Sequence, residues 1–265
     1  MKVYAIYNQK GGVGKTTVCL SMLSYFTSTE FFRKGEGKKV VGVDMDPQRS
    51  LTFLSGAKPK HTILDVLTDE VDIKDAITDT VYGNIIAANR ELKAIDAQMD
   101  IEAAETVSQR AEFEENLLTL RKKIKKLKGY DYVIIDCPPG YDNISLACMI
   151  AADSLILPAK ASKASLFALS SVSPMVAKAK KFNPSLQIAG VLLNFHTDRT
   201  NAGKYGAEAA ETLAQINLKA KVFGSTIRYS TAIEDCYFDG VPLFGRSSTV
   251  KSDYKNFIEE LLKGE

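Results

Sequence analysis

The chain has 265 residues, of which 45% are hydrophobic, 25% charged and 9% aromatic, the composition of an ordinary globular protein. This composition excludes a disordered chain, a collagen-like chain and a small scaffold that depends on disulfides. The 34 Lys and Arg against 32 Asp and Glu give a net charge of +2. That balance excludes a uniformly basic nucleic-acid-binding surface but leaves room for a local basic patch.

The cysteines and the hydropathy pattern predict a reduced, soluble protein inside the cell. The four cysteines are far apart and form no C-x-x-C pair: Cys19, Cys137, Cys148 and Cys236. We expect buried thiols, and two histidines are too few for a multi-histidine metal site. No stretch approaches the ~18–20 apolar residues of a membrane span, and the first ten residues lack the pattern of a signal peptide.

Short β-rich runs alternate with helix-like stretches along the whole chain. The runs expected to form strands are Lys2–Tyr7, Lys39–Asp44, Asn84–Ala87, Asp131–Asp136, Ser154–Pro158, Gln187–Asn194 and Ala220–Phe223. Several are continuously apolar, as in strands covered by helices on both faces. We therefore expect an α/β fold: a mostly parallel twisted sheet with helices on both faces. No linker divides the chain, so we expect a single domain over residues 1–265.

Three stretches are expected to form helices. Thr16–Thr29 has an apolar face, and Ile95–Lys128 is long, polar and rich in helix-favouring residues. Ser252–Glu265 carries apolar residues on one side with mixed charges elsewhere, which is typical of a helix that packs on the core rather than on a membrane. Within the second stretch, Arg121–Lys128 is strongly basic, and a solvated helix end is the simplest interpretation of this run.

The strongest local pattern is a glycine-rich loop between the first strand and the first helix. It reads QKGGVGKTT from Gln9 to Thr17, in the strand–loop–helix context that a phosphate-binding loop requires. Backbone N–H groups of such a loop and the start of the following helix cradle phosphate oxygens. Lys15 is expected to reach the β- and γ-phosphates, and Thr16 to offer its hydroxyl to Mg²⁺.

This loop resembles the deviant Walker A motif of the ParA/MinD family of ATPases. Gln9 stands where the general pattern has its first glycine, and a second lysine, Lys10, follows it. In that family the early lysine crosses to the nucleotide of the other subunit in an ATP-bound dimer. The resemblance thus implies ATP and Mg²⁺ as ligands, a homodimer with ATP, and a catalytic role for Lys10 beside Lys15. The nucleotide contacts it implies are Gly11, Gly12, Val13, Gly14, Lys15, Thr16, Thr17 and Asn194.

Two further segments extend the resemblance. VVGVDMDPQRS, from Val40 to Ser50, is similar to the family's switch I, in which Asp44 matches the residue that orients the attacking water. Asp136, before CPPG, is similar to the Walker B aspartate and is expected to hold Mg²⁺ together with Thr16. Asn194 matches a position that contacts adenine in relatives; an amide that only caps the chain is the alternative. The absence of N-K-x-D from the sequence favours ATP over GTP.

The DNA-binding residues implied by the resemblance are two arginines. Arg199 follows a short loop in LNFHTDRTNAG, and Arg228 lies in STIRYSTAIED; both segments are similar to ParA segments involved in sequence-independent DNA binding. Guanidinium groups suit phosphate oxygens. A surface salt bridge or a helix cap is the alternative for each. Ile227 and Thr231 depart from the family pattern, which weakens the DNA assignment.

The resemblance implies a ParA-type ATPase that partitions plasmid or chromosome copies. We expect an ATP-joined dimer that binds DNA non-specifically at the nucleoid, in the cytoplasm, and is released when a ParB-like partner stimulates hydrolysis. We expect no operator-reading helix-turn-helix before the first strand. The alternative is a related ATPase that positions a protein or membrane-associated cargo. No acceptor pocket for a metabolic kinase is apparent in the sequence.

Overall fold

A computed structural model describes residues 1–28, 38–196 and 201–264. Eight strands form one sheet in the order β3-β4-β2-β5-β1-β6-β7-β8. Their bounds are Lys2–Ile6 (β1), Val40–Asp44 (β2), Ile77–Thr80 (β3), Gly83–Ile86 (β4), Tyr132–Asp136 (β5), Ser154–Ala159 (β6), Gln187–His196 (β7) and Ile227–Arg228 (β8). All neighbouring strands are parallel except β3 and β4, which are antiparallel. The predicted mostly parallel sheet is confirmed.

Helices cover the sheet on both faces. The α-helices are Lys15–Phe26 (α1), Ser50–Leu54 (α2), Ile63–Leu67 (α3), Val107–Ile124 (α4), Asn143–Ala151 (α5), Lys163–Ser170 (α6), Val172–Phe182 (α7), Asn201–Leu213 (α8), Ala232–Asp239 (α9) and Thr249–Lys263 (α10). A π-helical turn, Ala214–Leu218, continues α8. Short 3₁₀ segments are Ile73–Ala76, Arg90–Ile95, Ala97–Met99, Ile101–Ala103 and Leu243–Gly245.

The central strands carry apolar side chains into two cores. Every residue of β2, β5 and β6 is buried, which explains their continuous apolar runs. One core packs α4, α5 and α7 against one face of the sheet, and the other packs α1 and α10 against the opposite face. Because β1, β2 and β5 are parallel neighbours, their carboxyl ends meet at one edge, where the loops that follow them come together.

The prediction of one long helix over Ile95–Lys128 is wrong. Short 3₁₀ segments occupy the first part, and α4 begins only at Val107. Thr106 starts it with a capping box: its side chain accepts from the Gln109 amide at 3.1 Å, and the Gln109 side chain accepts from the Thr106 amide. Helix propensity alone therefore overestimated the length of this helix, because Thr106 caps a helix start within the polar stretch.

The strand predictions were wrong at two edges of the sheet. Ala220–Phe223 forms only an isolated bridge between Val191 and Val222, whereas the edge strand β8 lies further along the chain. The short edge strand β3 was missed because its sequence, ITDT, lacks an apolar run. The predicted C-terminal packing helix is confirmed, since α10 buries Tyr254, Phe257 and Ile258.

Candidate functional site

The glycine-rich loop turns sharply between β1 and α1. Gly12 and Gly14 have φ values of 69° and 90°, a left-handed conformation that favours glycine. A Cβ on Gly14 would overlap Nδ2 of Asn194, so any side chain there also collides with a buried amide. Gly11 and Gly12 are exposed, whereas Val13 is fully buried and anchors the loop. The loop therefore presents its backbone at the N-terminus of α1, as phosphate binding requires.

Lys15, the first residue of α1, points back under the loop. Its Nζ donates to the carbonyl oxygens of Asn8 at 3.2 Å and Lys10 at 3.3 Å. Burial lowers the pKa of Lys15, while the nearby carboxylates of Asp136 and Asp46 oppose that shift. The ammonium group is thus held inside the loop, where the phosphates of a bound nucleotide would replace carbonyl oxygens as its partners.

Thr16 and Asp136 meet at the start of α1. The Thr16 hydroxyl donates to Oδ2 of Asp136 at 2.7 Å. The other oxygen, Oδ1, is buried and has no hydrogen-bond partner among the described residues. Burial and the adjacent charge of Asp44 raise the pKa of Asp136 well above its usual range. A buried carboxylate with an unpaired oxygen beside a hydroxyl suits a hydrated Mg²⁺, which would relieve both penalties.

A divalent cation at this site would have few protein ligands. Among the described residues, no group of three or more His, Cys, Asp or Glu side chains could enclose a metal by itself. Mg²⁺ characteristically keeps several waters and takes one or two protein oxygens plus phosphate oxygens. Thr16 and Asp136 therefore supply the donor set of a nucleotide-dependent site rather than of a permanent metal cage.

Asp44 ends β2 and is completely buried. Its Oδ2 accepts from the Thr52 hydroxyl at 2.7 Å and the Thr52 amide at 2.8 Å, and its Oδ1 accepts from the Asp46 amide at 3.1 Å. Burial outweighs these hydrogen bonds and raises the pKa of Asp44 to about 6. Both oxygens are engaged within the protein, a pattern typical of a residue that shapes the switch I segment.

Asp46 lies at the opening of the same site. Its Oδ1 accepts from the Gln48 amide at 2.9 Å, and it lines a cleft of about 470 Å³ together with Pro138 and Asp142. The assignment of the attacking water to Asp44 stays a prediction; of the two carboxylates, Asp46 is the one that lines the cleft. The D-x-D motif identifies both Asp44 and Asp46 as candidates, and only their burial distinguishes them.

The remaining loop residues have distinct environments. The Lys10 backbone amide donates to Oδ1 of Asn8 at 2.9 Å, while its half-buried side chain makes no ion pair with the described residues. The hydroxyl of Thr17 accepts from Tyr237 at 3.0 Å, which ties α9 to α1. Asn8, whose Nδ2 donates to the Pro158 carbonyl at 2.8 Å, was not identified from the sequence, because nothing in the motif marks it.

Asn194 is buried at the rear of the loop. Its Nδ2 donates to the Val13 carbonyl at 2.9 Å, and its Oδ1 accepts from the Phe195 amide at 3.0 Å. The side chain of Tyr254 also hydrogen-bonds to it. Asn194 thus holds the loop in shape from β7; its contact with adenine remains a prediction.

Of the two candidate DNA-binding arginines, only Arg228 lies within the described residues. Arg199 lies outside the described residues. Arg228 forms a two-pronged ion pair with Asp253: Nε to Oδ2 at 2.7 Å and Nη2 to Oδ1 at 2.8 Å. Its side chain is still 55% exposed. The surface salt bridge expected as the alternative for Arg228 is present, so any contact with DNA would compete with Asp253.

The basic run Arg121–Lys128 is partly engaged within the protein. Arg121 donates to the Ile150 carbonyl at 2.8 Å, Lys122 pairs with Glu115, and Lys123 pairs with Asp69. Arg121 and Lys123 are therefore engaged within the protein, whereas the pair of Lys122 with Glu115 is exposed. No described helix is long and apolar enough to cross a membrane.

Comparisons with known proteins find a matching family and relatives that cover most of the chain. The family described as AAA domain matches residues 1–188. The chain is 32% identical over 241 residues to the sporulation initiation inhibitor protein Soj of Bacillus subtilis, covering 87% of each chain. It is 28% identical over 269 residues to the chromosome partitioning protein ParA of Myxococcus xanthus, covering 99% of this chain and 88% of ParA.

Solved structures share the fold. The ATP complex of a single-residue variant of McdA from Cyanothece is 24% identical, with a TM-score of 0.78 over 98% of this chain and 96% of McdA. The cell division ATPase MinD of Pyrococcus furiosus is 22% identical, with a TM-score of 0.73 over 100% and 99% of the two chains.

Proposed function

The chain belongs to the ParA/MinD-type P-loop ATPases, and from that premise we propose that it partitions plasmid or chromosome copies. The observation that carries the proposal is the similarity to Soj and ParA over most of the chain. It is supported by a glycine-rich loop in which Lys15 contacts the Lys10 carbonyl and Thr16 contacts Asp136 of β5. The protein is an ATPase. It binds ATP with Mg²⁺, joins a second copy, binds DNA without sequence preference and acts at the nucleoid.

The residues of the loop divide the chemistry among them. Backbone amides from Gly11 to Thr17 hold the phosphates, and Lys15 neutralises charge on the β- and γ-phosphates. Thr16 and, through water, Asp136 would hold Mg²⁺, which would supply charge stabilisation of the transferred phosphoryl group. Asp46, at the cleft, positions the attacking water, while Asp44 fixes the switch I backbone through Thr52 and the Asp46 amide.

Lys10 links hydrolysis to dimerisation. Its side chain has no ion pair among the described residues, so it is available to a nucleotide in a second copy. A cation added at the γ-phosphate would stabilise the transition state as an arginine finger does. A ParB-like partner that favours this arrangement would stimulate hydrolysis and release the dimer from DNA.

A paired substitution tests the two carboxylates. We expect Asp46→Asn to abolish ATP hydrolysis while retaining ATP binding and accumulating dimers. Asp44→Asn removes a charge that protein hydrogen bonds already satisfy, so we expect its main effect on the stability of switch I. In each variant, steady-state phosphate release measures ATP hydrolysis and light scattering measures dimer formation. If Asp46→Asn hydrolyses ATP normally while Asp44→Asn does not, Asp44 orients the water, as the motif alone suggests.

DNA binding is tested on the hydrolysis-deficient dimer. We expect random-sequence duplex DNA to bind tightly with ATP and weakly with ADP, with affinity falling steeply as salt rises. Arg199→Ala and Arg228→Ala should each weaken binding and reduce the salt slope by about 1. A dimer loaded with ATP that ignores DNA at low salt would contradict the partition function and leave the nucleotide cycle intact.

Positioning of a protein or membrane-associated cargo is the second candidate. The ion pair between Arg228 and Asp253 favours it, since it occupies the guanidinium group that DNA would need. Sedimentation of the ATP-bound protein with anionic vesicles, in parallel with the DNA measurement, separates the two functions.

A further inference from the structure

An apolar groove lies apart from the nucleotide site. It encloses about 690 Å³ between α2, the turn from β3 to β4, and the C-terminal end of α9. Phe53 of α2 and Phe238 of α9 are 81% and 88% exposed, and Val81 of the turn is 61% exposed. Three large apolar side chains left in water around one groove form a surface that binding would cover.

The charges around the groove are acidic. Among the residues that the structure describes, its lining contains Asp79 and Asp239 and no basic side chain. One oxygen of Asp79 accepts from Asn84, and one oxygen of Asp239 pairs with Arg246; the second oxygen of each has no partner among the described residues. Even with Arg246 counted, the described residues of the groove carry a net negative charge. The groove therefore attracts lysine and arginine side chains and repels acidic ones.

Each wall of the groove contains a residue that either hydrogen-bonds to the nucleotide site or is next in the chain to one that does. Phe53 directly follows Thr52, whose amide and hydroxyl hold Asp44. On the opposite wall, the Tyr237 hydroxyl donates to Thr17 of the phosphate loop. An occupant that shifted α2 or α9 would change hydrogen bonds at switch I and at the start of α1.

We propose that this groove docks a short segment of a partner protein in which apolar side chains are flanked by lysine or arginine. The apolar side chains cover Phe53, Val81 and Phe238, and the basic ones pair with Asp79 and Asp239. Docking then acts on the ATPase site through Thr52 and Tyr237. The proposal concerns peptide recognition by the ATPase and is independent of whether the cargo is DNA.

Selection from a random 12-residue peptide library displayed on phage tests the docking chemistry. The target is the full chain with ATP, and the counter-target is the same chain carrying Phe53→Ser and Phe238→Ser, both at exposed positions. We expect enriched sequences with apolar residues flanked by Lys or Arg. A synthetic copy of the enriched peptide should bind the double variant at least tenfold more weakly in fluorescence anisotropy.

Matched substitutions identify the groove as the site. Val81→Ser should weaken binding of the peptide, whereas Val107→Ser, at an 87% exposed valine outside the groove, should leave it unchanged. Asp79→Lys should reduce affinity for the basic peptide and improve affinity for its copy with Glu in place of every Lys and Arg. Thermal melts confirm that each variant is folded.

Several outcomes would overturn the proposal. They are no enrichment, enrichment of acidic peptides, or equal binding by the groove variants. Vesicle sedimentation that depends on Phe53 and Phe238, without peptide binding, would assign the patch to a membrane; a dimer lost in the same variants would assign it to a second copy. Peptide docking can fail while ATP-dependent DNA binding stands, and the reverse, so the two proposals are separately testable.

Discussion

The charged side chains at the phosphate loop are buried, whereas the arginine of β8 is more than half exposed. At the loop, Lys15, Asp44 and Asp136 are buried, and their hydrogen bonds go to the loop backbone, to Thr52 and to the Thr16 hydroxyl, respectively. At β8, Arg228 is more than half exposed and paired with one carboxylate, Asp253. Buried charges must be satisfied in a fixed geometry, whereas an arginine that is more than half exposed can exchange its carboxylate for another partner. A motif therefore identifies the first region far better than the second.

The largest expected effect comes from the loop glycines. Gly14→Ala puts a Cβ where φ is 90° and where Nδ2 of Asn194 already lies, so we expect nucleotide binding to be lost and the free energy of unfolding to fall by about 2 kcal/mol or more. A Cβ on Gly11 would meet no atom within 4 Å, so Gly11→Ala should change the free energy of unfolding by less than about 0.5 kcal/mol. Urea denaturation measures the free energy of unfolding of both variants. Equal losses would show that the loop is not held as described.

The hydroxyl at position 16 gives the next effect. Thr16→Val keeps the shape but removes the donor to Asp136, so we expect Mg²⁺-dependent hydrolysis to fall by about 100-fold or more. Thr16→Ser keeps the hydroxyl and should retain most activity. Phosphate release across a Mg²⁺ titration distinguishes them. Similar rates in the two variants would remove Thr16 from the metal site.

The smallest effect is expected at β8. Arg228→Ala should reduce stability only slightly, because the guanidinium is 55% exposed and the backbone amide of residue 228 still donates to Oδ2 of Asp253. Asp253→Asn releases Arg228 and should leave DNA affinity unchanged or raise it, whereas Arg228→Ala should lower it a few-fold. Fluorescence anisotropy with ATP measures both. A loss of DNA binding in Asp253→Asn would mean that the ion pair itself shapes the DNA surface.

Much of the nucleotide site was predictable from the sequence. The loop, Lys15, Thr16 and Asp136 fall where a strand ends and a helix begins, and the structure brings them together at the carboxyl edge of β1 and β5. The environments of Asp44 and Asp46 were not predictable, because two carboxylates two residues apart look alike until burial separates them. Asn8 and Tyr237 were also missed, since their partners are contacts in space rather than in sequence.

The sequence by itself determined the family, the parallel sheet and the phosphate loop, because apolar runs and glycine spacing follow from local backbone requirements. Only the tertiary structure decided the edge strand β8, the partner of Arg228 and the groove between α2 and α9. Each of these depends on which residues of distant segments meet, and no local pattern encodes such meetings. The groove shows this most clearly, since Phe53, Val81 and Phe238 stand on three separate elements of the chain.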